Sequence, residues 1–151
     1  MAKPHETLEK VGLLRSVERK DREIFEQRCQ WRHARPKEWL LEQNDIGTDI
    51  YFLTSGTVRV LITPSPDREV ILGDIDAGGY FGEMAAIDGQ PRSAGILAIT
   101  DATTQIAAAL KISVKLFIEV SSFGCFNAFP AATERIATER KMNGPRQAAD
   151  G

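Results

Sequence analysis

The stretch FGEMAAIDGQPRSA, residues 81–94, is the most informative part of this chain. Together with two glycines just upstream, Gly82 lets the backbone approach another group closely. The small residues Ala85 and Ala86 favour a short helical turn directly after it. The N-terminus of such a turn presents unpaired N–H groups, so this stretch is a suitable place for an anion.

Three side chains suggest which anion. Arg92 and Ser93 follow a turn at Asp88–Gly89, and with the backbone N–H groups they could converge on one phosphate. Glu83 would repel a phosphate, but its carboxylate can accept a hydrogen bond from a sugar hydroxyl. A ribose phosphate satisfies both demands. Taken as two charges alone, Arg92 and Glu83 are more simply explained as a surface ion pair worth at most about 1 kcal/mol.

Composition limits the other function classes. With 151 residues the chain suits one domain, and 19 basic against 21 acidic residues argue against general nucleic-acid binding.

Cys29 and Cys125 form no CxxC pattern and are interpreted as buried reduced thiols. His5 and His33 join no carboxylate cluster, which disfavours a metalloenzyme or phosphodiesterase. No signal peptide or membrane span is visible, so we expect a cytoplasmic protein that needs no metal or cofactor.

The apolar pattern divides the chain into three parts. Residues 7–30 have a helical period, with Ser16 a candidate N-cap between two helices. Residues 31–110 contain short apolar runs separated by turn residues, which predicts antiparallel β structure. A helical period returns over residues 113–143 and is followed by a tail at 144–151. Six strands are predicted individually: 38–42, 50–53, 57–63, 69–75, 95–100 and 104–109.

Residues 81–94 resemble the phosphate-binding cassette of cyclic-nucleotide-binding domains. The upstream stretch DIYFLTSGTVRVLI, with Gly56 at its turn, and the stretch EVILGDIDAGGYFGE are similar to the strands that precede the cassette in that family. The resemblance covers roughly residues 10–125. It implies an α+β fold, an antiparallel β-roll or jelly roll of about eight strands flanked by N-terminal and C-terminal helices, and one domain over residues 1–143.

The resemblance also implies roles for individual residues. Glu83 would accept the ribose 2′-hydroxyl, Arg92 would pair with the cyclic phosphate, and Ser93 would add a hydroxyl contact. Backbone groups would complete the cradle, and two apolar side chains would form walls of the ligand cavity. The cradle residues are Gly82, Met84, Ala85 and Ala94, and the wall residues are Val60 and Leu72, for which ordinary strand core is an equal alternative.

This chain departs from the family pattern at three positions. Asn44 and Lys37 stand where glycines are usual in turns, and Gly95 replaces the usual Ser, Thr or Val. None of these changes removes a phosphate or ribose contact, although Lys37 puts the turn of the first strand in doubt. The residues around Ser93, PRSAGILAITDA, resemble those of bacterial activators that respond to cAMP. This resemblance favours cAMP as the ligand and leaves cGMP open. Three residues of the last helix are lid candidates: Arg135, Ile136 and Arg140.

The sequence therefore predicts a non-catalytic cyclic nucleotide sensor that couples binding to rearrangement of its C-terminal helices. We expect it to act through an unidentified protein effector, with a homodimer left open. After Leu110 no helix-turn-helix spacing can be read, so DNA binding by this chain alone is not expected. The alternative is a degenerate domain of the same fold that serves protein interaction without binding nucleotide.

Overall fold

Eight strands form the body of the protein in a computed structural model that describes residues 8–108. They are β1 Gln30–Ala34, β2 Trp39–Leu41, β3 Ile50–Ser55, β4 Thr57–Ser65, β5 Arg68–Asp76, β6 Tyr80–Phe81, β7 Gly95–Ala98 and β8 Ala102–Ala107. They make two antiparallel four-stranded sheets, with the orders β1-β8-β3-β6 and β2-β7-β4-β5. The predicted β-roll of about eight strands is confirmed.

Strand β3 is buried on both faces and connects two apolar clusters. Because successive side chains of a strand point to opposite faces, Ile50 and Phe52 join one cluster, while Tyr51 and Leu53 join the other. The second cluster draws residues from both sheets and forms the core between them. It includes Phe81, so the short strand β6 is fixed in the core just before the cassette begins.

Three helical segments precede the sheets: 3₁₀ helices at Leu8–Lys10 and Gly12–Leu14, and helix α1 at Arg19–Arg28. Side chains three residues apart align in a 3₁₀ helix, and Leu8, Val11 and Leu14 have this spacing and are at most 1% exposed. With Phe25 of α1, they pack against the Ile50 and Phe52 side of β3.

The predicted cap at Ser16 is wrong. Helix α1 begins at Arg19, and Glu18 takes the cap position without a side-chain hydrogen bond. The predicted helical stretch also ends early, because Cys29 is already extended and Gln30 begins β1. Cys29 was predicted to be a buried thiol, but the residue is half-buried. Its thiol donates to the carbonyl of Phe25 at 3.3 Å.

Two strands were not predicted individually. Strand β1 reads QWRHA, and only Ala34 in it is buried, because β1 is an edge strand that pairs with β8 alone. Such a strand lacks the alternating apolar pattern that would reveal it. Strand β6 has two residues, too few for any periodicity.

The unusual turn residues adopt left-handed backbone conformations. Lys37 has φ 69° and Asn44 has φ 71°. The turn that Lys37 placed in doubt forms, and the N–H of Lys37 donates to the carbonyl of Ala98 at 2.8 Å. Gly56, with φ 86°, stands where no side chain would fit, since an added Cβ would clash with the carbonyl oxygen of Asp101.

The predicted C-terminal helices at 113–143, the lid candidates Arg135, Ile136 and Arg140, and the tail at 144–151 lie outside the described residues, as do His5 and Cys125. Over residues 8–108, no helix has the length and apolar character needed to cross a membrane.

Candidate functional site

The cassette forms a strand, a short helix and a return loop. After β6, Gly82 turns the chain with φ 85° and ψ 0°, and helix α2 spans Glu83–Asp88. Gly89 ends this helix with φ 66°, and its N–H donates to the carbonyl of Ala85 at 3.0 Å. The side chain of Asp88 then accepts from the N–H of Gln90 at 2.9 Å. The short helical turn predicted after Gly82 and the reversal at Asp88–Gly89 are both present.

Gly82 sits where no side chain would fit. A Cβ on this residue would lie 2.8 Å from the carbonyl oxygen of Asp49 and 2.9 Å from Nη1 of Arg92. Its left-handed φ would also strain any other residue. The glycine therefore allows the start of α2 to lie directly against the guanidinium of Arg92.

Arg92 is the charged group at the centre of this arrangement, and it is only 4% exposed. Its Nη1 donates to the carbonyl of Gly82 at 2.8 Å, and its Nη2 donates to the carbonyl of Asp49 at 3.0 Å. Both acceptors are neutral, so these bonds orient the guanidinium without neutralising its charge. The simpler interpretation of Arg92 as a surface residue is therefore wrong.

An aromatic stack supports the same guanidinium. The Cζ atom of Arg92 lies 5.9 Å from the ring centroid of Tyr51. The ring of Tyr51 in turn stacks on the ring of Phe81, with centroids 5.1 Å apart and planes 10° from parallel. An aromatic face attracts a cation, so Tyr51 both orients Arg92 and couples it to the core.

The backbone of Arg92 is fixed as firmly as its side chain. Its N–H donates to the carbonyl of Asp45 and its carbonyl accepts from the N–H of Asn44, both at 2.8 Å. The loop between β2 and β3 therefore holds the cassette arginine from outside the cassette. Sequence reasoning missed the contributions of Asp45, Asp49 and Tyr51, because two of them act through backbone carbonyls that have no sequence signature.

The other predicted cassette residues lie on α2, before Arg92, or directly after Arg92 in the sequence. Glu83 opens α2 and is half-buried, Ala85 is buried, and Ser93 and Ala94 are half-buried. The hydroxyl of Ser93 donates to Sδ of Met84 at 3.7 Å. A thioether is a weak acceptor, so this contact holds Ser93 only loosely.

The two predicted wall residues lie in the second sheet. Val60 is half-buried, packs against the core between the sheets, and pairs with Gly73 and Ile96. Leu72 is half-buried in β5, where the register against β4 shifts. Both positions are consistent with strand core, and their contact with a ligand stays a prediction.

The pKa shifts found in the described residues belong to ion pairs outside the cassette. The pKa of Asp74 is lowered because Arg59 donates hydrogen bonds to its carboxylate at 2.7 and 2.9 Å. The pKa of Arg19 is raised by its hydrogen bond to Glu23. Within residues 8–108, no group of three His, Cys, Asp or Glu side chains is placed to hold a metal ion.

Comparison with known proteins decides the family. The family profile described as cyclic nucleotide-binding domain matches residues 31–111, more than half of the chain. The chain belongs to this family. The match spans every strand from β2 to β8 and the whole cassette.

Curated relatives include channels and regulators. The chain is 28% identical over 113 residues to the potassium channel AKT2/3 of Arabidopsis thaliana, covering 75% of this chain and 13% of that one. It is 40% identical over 62 residues to a cyclic nucleotide-gated potassium channel of Rhizobium etli, covering 41% and 16%. The cAMP-activated global transcriptional regulator CRP of Salmonella typhimurium is 32% identical over 79 residues, covering 52% and 38%. The chain thus spans a minor part of these relatives.

Solved structures share the fold at low identity. The regulatory subunit of a cAMP-independent protein kinase A from Trypanosoma brucei matches with a TM-score of 0.76 at 14% identity, covering 87% of this chain and 48% of that one. The catabolite activator protein of Thermus thermophilus matches with a TM-score of 0.62 at 22% identity, covering 86% and 56%.

Proposed function

We propose that this chain is a non-catalytic regulatory domain that binds a cyclic nucleotide, with cAMP the preferred ligand. The observation that carries the proposal is the environment of Arg92. Its guanidinium is buried beside the first turn of α2, and the carbonyls that hold it carry no formal charge. A buried charge is costly unless a counter-charge compensates it. A cyclic phosphate diester supplies one negative charge, which is the charge needed here.

The remaining hydrogen-bonding capacity suits a phosphate. A guanidinium has five N–H donors, and the carbonyls of Gly82 and Asp49 use two of them, so three remain for phosphate oxygens. Ser93 can exchange its weak thioether acceptor for a phosphate oxygen at little cost. The backbone groups of residues 82–85 and 94 complete the cradle in this proposal, and Val60 and Leu72 provide its apolar wall.

Glu83 is assigned to the sugar. It lies one residue after Gly82, whose carbonyl accepts from Arg92, so it lies next to the proposed phosphate position. Its carboxylate would accept a hydrogen bond from the ribose 2′-hydroxyl. A ligand that carries both a cyclic phosphate and a ribose hydroxyl would use Glu83 and Arg92 together.

The choice of cAMP is supported by the similar proteins rather than by a base contact. A regulatory domain of protein kinase A from Toxoplasma gondii is described with cAMP, and a related structure from Trypanosoma cruzi is described with guanosine. Since each is under 25% identical to this chain, cGMP and guanosine belong in the same binding experiment.

Ligand binding would be transmitted through helices that contact the cassette. We propose that the helices expected at 113–143 close over the bound base and pass the signal to a protein effector. A second route is supported by the described residues. Ala86 of α2 packs against the apolar cluster that joins Leu8, Val11 and Leu14 to Ile50 and Phe52 of β3, and the N–H of Gly12 donates to the carbonyl of Gly78, just before β6, at 3.3 Å. In this proposal, movement of α2 would reach the N-terminal helices through this shared cluster.

Calorimetric titration of the chain with cAMP, cGMP, linear AMP and guanosine tests the proposal. We expect saturable binding of cAMP, weakened about tenfold by Glu83→Ala and about fivefold by Ser93→Ala, since each variant loses hydrogen bonds to the ligand. Glu69→Ala removes an exposed carboxylate of β5 and should leave the affinity unchanged. Absence of heat with either cyclic nucleotide, while the chain is folded, would contradict the proposal.

One observation favours a second candidate, a domain of this fold that serves only protein interaction. Arg92 already stabilises the cassette by joining Gly82 to Asp49, a structural role that requires no ligand. This candidate predicts a folded chain that binds none of the four compounds and forms a stable complex with a protein.

A further inference from the structure

A cleft of about 550 Å³ lies beside strands β2 and β4 of the second sheet, and the nucleotide proposal does not use it. Its lining includes Trp39, Glu42, Leu61, Pro64, Pro66 and Gly95, and we refer to it as the Trp39 cleft. The cassette residues Glu83, Arg92 and Ser93 do not line it. Its volume falls within the range of about 300–1,000 Å³ that is usual for ligand pockets.

The walls of the Trp39 cleft are fixed by contacts within the chain. The ring of Trp39 lies over Gly95, where an added Cβ would come within 2.6 Å of a ring atom. The N–H of Thr63 donates to Oε1 of Gln43 at 2.7 Å, which ties the loop after β2 to β4. Leu61 is 2% exposed, whereas Trp39 is 39% exposed. An aromatic surface therefore remains open above a packed apolar base.

The polar groups of the Trp39 cleft favour a cationic guest. Among the described residues that line it, Glu42 alone carries a charge. The other polar residues of the lining are neutral: Gln43, Asn44, Thr63 and Ser65. The guanidinium of Arg32, which lies near β2, donates to the carbonyls of Trp39 and Leu40 and is not part of the lining. The cleft thus combines one carboxylate, neutral polar side chains and an exposed indole.

We propose that the Trp39 cleft docks an arginine side chain presented by an extended segment of a partner protein. A planar guanidinium stacks on an indole face and pairs with a carboxylate, which a lysine ammonium does less well. The volume accommodates this side chain together with its flanking backbone. This docking goes beyond nucleotide binding, uses different residues, and stands or fails independently of it.

The test is a titration of the ¹⁵N-labelled full chain with N-acetyl-arginine amide, followed by amide and indole N–H spectra. The indole signal of Trp39 is assigned by its persistence in Trp31→Phe. We expect a saturable shift of this signal that weakens with added salt, because an exposed charge pair is screened. N-acetyl-citrulline amide, which has a similar shape and no charge, should shift it far less.

Two variants identify the carboxylate. Glu42→Gln should weaken binding of the arginine probe about two- to fivefold, the range expected for an exposed ion pair. Glu69→Gln, an exposed carboxylate outside the lining, should change nothing. The proposal is overturned if the arginine probe leaves the Trp39 signal unchanged, if citrulline shifts it equally, or if Glu42→Gln binds as the parent does.

Discussion

Arg59 and Arg92 lie in two regions of the same small fold, and their surroundings differ in kind. Arg59, on the ribbon of β4 and β5, forms two hydrogen bonds to the carboxylate of Asp74, and its side chain is 34% exposed. Arg92, in the cassette loop, is 4% exposed and donates to two neutral carbonyls. The first arginine is neutralised by its partner, whereas the hydrogen bonds of the second leave its charge available to an anion. Burial combined with neutral acceptors, rather than the presence of an arginine, distinguishes the candidate site.

The strongest way to break this comparison is to truncate both arginines. Arg92→Ala should lower the free energy of unfolding by about 3 kcal/mol, because it removes a buried guanidinium and leaves two half-buried carbonyls without their charged donor. Arg59→Ala should cost far less, since water replaces an exposed pair. Urea unfolding of both variants measures the difference. Equal losses would show that the two arginines have equivalent structural roles.

A pair of glycine variants tests how closely the cassette packs around Arg92. Gly82→Ala should cost about 2 kcal/mol, because the new Cβ meets the carbonyl of Asp49 and Nη1 of Arg92 in addition to backbone strain. Gly89→Ala has a similar positive φ but nothing within 4 Å of the new Cβ, so it should show the strain alone. Thermal unfolding compares them, and an equal effect would place the guanidinium away from Gly82.

Tyr51 sharpens the comparison further, because Arg59 has no described aromatic partner of this kind among residues 8–108. Tyr51→Leu should weaken cAMP binding by about 1 kcal/mol through loss of the ring beside Arg92. Tyr51→Phe keeps the ring and serves as the matched control. Calorimetry of both variants decides the point, and identical affinities for the two would exclude an orienting role for the ring.

The smallest expected effect concerns the ion pair of the ribbon. The folded-state pKa of Asp74 is lowered by Arg59, so the pair stabilises the fold above the ordinary aspartate pKa of about 3.9. This contribution disappears as the pH falls through the lowered pKa. Asp74→Asn should therefore melt slightly below the parent at pH 7, and this difference should shrink as the pH falls below the ordinary aspartate pKa. A difference that grows towards acid would contradict the sign of the shift.

Short apolar runs bounded by turn residues predicted six of the eight strands, including β3, which is buried on both faces. They missed β1, which is polar, and β6, which is short. The cassette was predicted from residues 81–94 together with the strand-like stretches that precede them. The burial of Arg92 could not be, because its acceptors are carbonyls of Gly82 and Asp49 that long-range packing brings together. A carbonyl is present at every position and leaves no pattern in the sequence.

The direct test of the central claim is the ¹⁵N signal of the Arg92 Nε–H group, assigned by its loss in Arg92→Lys, during titration with cAMP and with adenosine. If the buried guanidinium receives the cyclic phosphate, saturating cAMP should shift this signal strongly, and adenosine, which lacks the phosphate, should not. An Arg92 signal that stays unchanged at saturating cAMP would contradict the account.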